Sequence, residues 1–205
     1  MKKLIIVSAV AVAVAVAAGV LGSTVAQADT AAILDNWQER AYAQVKVGTA
    51  DLGLSDNAMT LTGVAGLETP SIHPMLSFEA DLTMTLTDAE TSRSFSAGSV
   101  VRSATIEGSA FSMGGYAVAS FDQLPIENLT PFVRLGLAYT SIDYSYSYNG
   151  TGAGSGFGVD GEDSEFGLAF SGGVRYAFND RFSAVADYTN VSDLDILNLG
   201  VQYNF

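Results

Sequence analysis

From Leu76 to Thr87 the chain keeps a strict two-residue alternation. Leu76, Phe78, Ala80, Leu82, Met84 and Leu86 fall on one side of an extended backbone, and Ser77, Glu79, Asp81, Thr83, Thr85 and Thr87 on the other. Successive strand side chains point to opposite faces, so one face here is wholly apolar and the other wholly polar. No helix accounts for a period of two held this long. The last nine residues repeat the pattern: Leu197, Leu199, Val201, Tyr203 and Phe205 alternate with Asn198, Gly200, Gln202 and Asn204. A soluble sheet that ends on an edge strand with one greasy face invites aggregation. A strand that closes a barrel in hydrocarbon has reason for that face, because lipid covers it and every backbone group is paired.

The same rule divides the rest of the chain. Residues 41–49 form a first strand, with Ala41, Ala43, Val45 and Val47 opposite Tyr42, Gln44, Lys46 and Gly48. Residues 59–67, 75–87, 109–121, 131–147, 165–178, 182–189 and 197–205 supply seven more, for an expected eight. Pro70 and Pro74, Pro125, and Asn179-Asp180 mark short turns. Residues 51–57, 88–108, 149–164 and 191–195 read as loops, the second and third of them long. Within 131–147 the apolar parity switches: Val133, Leu135, Leu137 and Tyr139 give way to Ile142, Tyr144, Tyr146 and Tyr148. Either a bulge near Thr140 shifts the register, or the tyrosines line the mouth of the lumen. The predicted fold is an all-β, eight-stranded antiparallel transmembrane barrel preceded by a cleavable signal helix. An even strand count puts both barrel ends on the periplasmic side.

Residues 1–28 carry that signal. Lys2 and Lys3 precede an apolar run from Leu4 to Leu21, and Ala26-Gln27-Ala28 fits a small-residue cleavage site. The run is long for a signal core, so an uncleaved anchor is the competing reading. Residues 29–40 form a lead-in without alternation, and its Trp37 fits either the membrane interface or ordinary packing. Residues 41–205 are the barrel. Cleavage removes two of nine basic residues and no acidic one, leaving 22 acidic against 7 basic residues and a net charge of −15. Such a balance argues against nucleic-acid binding, which needs clustered Lys and Arg on the phosphates. There is no Cys, which excludes disulfides, thiolate catalysis and Cys-type zinc sites.

The pattern resembles the small outer-membrane β-barrel domain family of the OmpA, OmpX and opacity-protein type. The resemblance is carried by the signal segment, the run from Pro131 to Tyr139 (PFVRLGLAY), the run from Phe170 to Phe178 (FSGGVRYAF), and the ending VQYNF. It spans about 41–205. It implies assembly by the barrel-assembly machinery with periplasmic chaperones, and a role for Tyr203 and Phe205 as the C-terminal assembly signal. It implies lipid bilayer and lipopolysaccharide as surroundings, and an outer-membrane location reached by export. Larger members carry a peptidoglycan-binding domain after the barrel; this chain shows none, so cell-wall anchoring is not expected.

The inward parity gathers Lys46, Glu79, Asp81, Arg134, Arg175 and Asp187. Eight strands enclose just enough room for side chains, so these charges must pair. They are expected to form an ion-paired plug; the competing reading is a gated path for ions. Asp160, Glu162, Asp163 and Glu165 form the densest acidic cluster. In a loop they would offer a weak site for Ca²⁺ or Mg²⁺, although EF-hand spacing is not met. A solvated loop is the simpler expectation. The run 150–158 matches neither a dinucleotide nor a phosphate-binding loop, and Asn128-Leu-Thr130 is an incidental glycosylation acceptor. Some barrels of this size modify lipid A with a Ser/His pair. The single His73 sits in a turn predicted to be periplasmic, away from the outer leaflet where such chemistry occurs. Neither catalysis nor a cofactor is expected. The expected role is structural and interactive, with surface loops open to an extracellular ligand; the alternative is a small passive channel for ions or hydrophobic solutes.

Overall fold

The computed structural model describes residues 39–205, save 71, 98–99, 122–125, 151–156 and 192–193. The signal segment, Trp37, Pro125 and most of the Gly-rich run 150–158 therefore lie outside the described residues. Backbone pairing joins the alternating segments into a single sheet. Its strands are β1 (Ala41–Asp51), β2 (Ala58–Glu68), β3 (Leu76–Thr85), β4 (Ala89–Ala97), β5 (Val100–Ser120), β6 (Leu129–Gly150), β7 (Phe157–Ala177), β8 (Phe182–Val191) and β9 (Leu194–Asn204). All neighbours are antiparallel. β1 pairs with β2 and with β9, from Tyr42↔Asn204 to Asp51↔Asp195. β5 pairs with β3 over residues 111–119 and with β4 over 100–108, so β3 and β4 run in line along one wall. The sheet closes on itself as an eight-stranded barrel, which leaves no open edge in hydrocarbon.

The register carries the predicted faces around the barrel. Gly63, Leu82, Met113, Tyr139 and Phe166 form one cross-strand row on the outside. Val45, Val47, Leu135, Leu168, Leu197 and Leu199 are more than half exposed on the same surface, as a lipid-facing band requires. Opposite them, Gln44, Tyr116, Val118, Val185 and Gln202 are buried. The Tyr203 ring meets Phe182 tilted and Phe205 edge-on, with centroids 5.2 and 5.1 Å apart. The Phe205 amide donates to the Ala41 carbonyl at 3.1 Å, so the chain's last residue holds the start of its first strand.

Turn chemistry follows residue type. The Asn179 Oδ1 accepts the Arg181 and Phe182 amides, each at 2.9 Å, and so closes the turn into β8. Asn128 sits at φ 65°, a left-handed conformation that asparagine tolerates, directly ahead of β6. Inside the barrel, glycines make room for rings: a Cβ on Gly66 would strike the Tyr42 ring across the β1–β2 pair.

Two expectations need correction. Within the expected loops, residues 89–97, 100–108 and 157–164 are strand. β5, β6 and β7 run for 21, 22 and 21 residues, against 10 or 11 for β1, β2, β8 and β9. A span needs about 9–11 residues, so roughly 33 Å of extra strand rises beyond the bilayer at 3.3 Å per residue. The reason is pairing: each polar segment finds its partner's backbone, and Gly, Ser and Asp tolerate a solvated ladder. Pairing through β6 is continuous on both sides, from Phe132↔Ser120 to Gly150↔Arg102 and from Leu129↔Tyr176 to Tyr148↔Phe157. No bulge interrupts it at Thr140, so Ile142, Tyr144 and Tyr146 fall on the inward parity above the lumen.

Candidate functional site: the closed lumen and the outer sheet

The inward parity of five strands delivers six charged side chains to one level of the lumen. Lys46 Nζ lies 2.7 Å from Asp187 Oδ2, and both side chains are at most 1% exposed. Arg134 Nη1 lies 2.9 Å from Glu79 Oε2, and its Nη2 lies 3.4 Å from Asp81 Oδ2. Arg175 Nη2 lies 3.4 Å from Glu79 Oε1. The structure thus brings together all six residues singled out in the sequence, three cations against three carboxylates. Balance matters here, because an unpaired charge taken from water costs several kcal/mol.

Neutral groups link the pairs into a network that the sequence did not announce. The Tyr42 hydroxyl donates to Glu79 Oε1 at 2.7 Å, and Gln44 Nε2 donates to the same oxygen at 3.2 Å. Thr189 accepts from Arg134 Nη2 at 3.0 Å and sits 3.1 Å from Asp187 Oδ1, joining the two carboxylate centres. Asn198 Nδ2 donates to Asp187 Oδ1 at 3.1 Å. The Arg134 guanidinium lies 4.4 Å from the centre of the Tyr116 ring. Those partners share the inward parity of their strands, and that parity was the available signal.

Above this belt, past a layer of buried hydroxyls that includes Thr62, Thr83, Ser112 and Thr140, the interior turns apolar. Ala50, Leu52, Ala58, Ala89, Ala110, Leu194 and Ile196 form a buried cluster at the extracellular end, with Leu54 and Ile142 packed against it. A second apolar group, including Tyr116, Val118, Phe132 and Val185, lines the wall of β5–β8. The inside is therefore layered, apolar over ionic, and not polar throughout.

Outside, the acidic cluster is not a loop. Asp160, Glu162, Asp163 and Glu165 all lie in β7 and are exposed. Alternation sends Asp160 and Glu162 to the outer face and Asp163 and Glu165 to the inner face, so the four do not converge on one cation. Among the described residues no group of three or more His, Asp or Glu side chains is arranged to hold a metal. Ser145 donates to Asp160 at 3.1 Å and Ser141 to Glu162 at 3.3 Å across the β6–β7 pair. From Phe157 to Leu168, β7 pairs only with β6, since its ladder with β8 begins at Ala169↔Val191. Among the described residues no second strand covers β7 above the rim of β8. At the rim, the Tyr188 hydroxyl and Asn190 Nδ2 donate to Asp195 Oδ1 at 2.6 and 2.7 Å. His73 lies in the β2–β3 turn, where its Nδ1 accepts the Met75 amide at 3.2 Å.

A closed barrel with an apolar outside, a paired interior and protruding strands defines a small outer-membrane β-barrel. The chain matches the family described as outer membrane protein beta-barrel domain over residues 12–205, and it belongs to that family. Among solved structures it is similar to Neisserial surface protein A, at 18% identity and a TM-score of 0.50, covering 80% of this chain and 96% of that one. It is also similar to the N-terminal β-barrel domain of Pseudomonas aeruginosa OprF, at 16% identity and a TM-score of 0.46, covering 80% and 97%. Ail of Yersinia pestis, crystallised with the heparin analogue sucrose octasulfate, matches at 15% identity and a TM-score of 0.44, covering 81% and 97%. No curated protein sequence matches this chain.

The paired interior makes an energetic prediction. Asp187→Asn leaves Lys46 buried and uncompensated and is expected to lower stability by about 3–5 kcal/mol. The paired replacement Lys46→Met with Asp187→Leu is expected to cost less. Urea unfolding of the refolded barrel in lipid vesicles measures both; a single replacement no worse than the double one contradicts the pairing argument.

Proposed function

We propose that this outer-membrane barrel has a structural and surface-interaction role and carries out no catalysis. The observation that supports this most is the layered lumen. A belt of three cations and three carboxylates crosses the interior, and a buried apolar cluster caps its extracellular end. Ions meet first an apolar barrier and then fixed charges that are already neutralised, an arrangement that favours anchoring over conduction. The rigid extension of β4–β7 displays an acidic, open-edged sheet above the lipid. An extended partner carrying Lys or Arg would find carboxylates on both faces of the β7 edge, a surface suited to strand addition.

The accessory readings accompany this one. Residues 1–28 direct export and are removed. Tyr203 and Phe205, edge to face at the seam beside Phe182, present the closing strand to the barrel-assembly machinery after periplasmic chaperones deliver it. Lipopolysaccharide surrounds the outward band. His73, held as a backbone acceptor in its turn, has no part in acyl-transfer chemistry on lipid A.

Three measurements address these statements. Planar bilayers containing the refolded mature chain are expected to stay silent at voltages where a porin conducts; stepwise openings would instead support the passive-channel alternative. Lipid A from cells expressing the chain is expected to keep its mass, and an acyl loss dependent on the protein would establish catalysis. Deletion of Phe205 is expected to reduce the folded form in the outer membrane, seen as lost heat-dependent mobility on gels. Unchanged assembly would remove Phe205 from the signal.

A further inference from the structure

Arg175 differs from the other five buried charges. Its side chain is 12% exposed, against 6% or less for the rest. Its contact with Glu79 Oε1 is long, at 3.4 Å, and that oxygen already accepts Tyr42 at 2.7 Å and Gln44 at 3.2 Å. Its other hydrogen bond, to Ser120 Oγ, is 3.3 Å. Two aromatic rings also lie against the guanidinium. Its carbon lies 4.7 Å from the Phe132 centroid and 5.4 Å from that of Tyr42. Stacked arginines keep their N–H edge available for an oxyanion.

That edge borders a cavity of about 210 Å³ at the periplasmic end of the lumen. Ser77, Ser120, Thr130, Ser183 and Gln202 line it with Arg175. The space far exceeds the roughly 10–15 Å³ that one ordered water needs. It is walled off from the outside by the charged belt and the apolar cap, so a ligand enters and leaves on the periplasmic side.

We propose that this cavity is a blind periplasmic binding site for a monocarboxylate, with Arg175 as its cation and the surrounding hydroxyls as donors. A carboxylate matches the planar N–H fork of arginine. A single charge is preferred to a doubly charged phosphate. Glu79 stands behind the guanidinium and Glu68 also lines the cavity, so the repulsion from these carboxylates is about twice as large for a dianion as for a monocarboxylate.

The test uses the isotopically labelled mature barrel refolded in micelles, titrated with sodium acetate at ionic strength held constant with sodium chloride. The amide signals of Ser77, Ser120, Thr130 and Ser183 are expected to shift and saturate. Inorganic phosphate is expected to bind at least threefold more weakly. Arg175→Gln is expected to weaken acetate binding at least tenfold. Should that variant not fold, Thr130→Val keeps the framework, removes one hydroxyl and is expected to weaken binding about threefold. Shifts that grow linearly without saturation overturn the proposal. So do shifts reproduced by chloride alone, tighter binding of phosphate than of acetate, or undiminished binding in a folded variant.

Discussion

The structure depends on the cost of leaving a backbone amide or carbonyl unpaired in hydrocarbon. Each such group costs several kcal/mol, so a sheet that crosses a bilayer must leave no edge there. The seam between β1 and β9 meets that demand, with ten consecutive residue pairs from Tyr42↔Asn204 to Asp51↔Asp195. Closure then fixes everything that alternates. Once the sheet is a cylinder, one parity faces lipid and the other is enclosed. A one-residue slip of β1, β3 or β6 would drive Lys46, Glu79 or Arg134 into hydrocarbon, so the interior charges and the outer apolar rows specify the same register.

Enclosure turns the charged residues from a solubility feature into a packing problem. The lumen of eight strands has room for side chains and little else. Arg134 is held by two carboxylates, a hydroxyl and a ring face, with only its Nε left without a hydrogen bond, and Asp187 is held by Lys46, Asn198 and Thr189. The apolar cluster around Leu194 and Ile196 separates that network from the extracellular side. Arg175 lies at the other margin of the belt, where the pairing is longest and the interior opens toward the periplasm.

Beyond the bilayer the same ladder serves a different purpose. β5, β6 and β7 continue their pairing into solvent, where an open edge is permitted. Their outer and inner faces then carry carboxylates without conflict, and the charge discourages two identical edges from joining. The result is a sheet that extends past the height of its neighbours on one side of the barrel.

Much of this was legible in the chain. Strict alternation in residues 76–87 and 197–205 fixed which side chains face lipid, because a period of two has no other geometric meaning in a closed sheet. The same parity named Lys46, Glu79, Asp81, Arg134, Arg175 and Asp187 as neighbours in the lumen. The tertiary structure decided who pairs with whom, since that depends on the stagger between strands far apart in sequence: Glu79 meets both Arg134 and Arg175 only because β3, β6 and β7 bring those residues to one height. It also decided that 89–97, 100–108 and 157–164 are strand. Their Gly, Ser and acidic residues have weak intrinsic preference for extended structure, and only the backbone of a long partner strand holds them there.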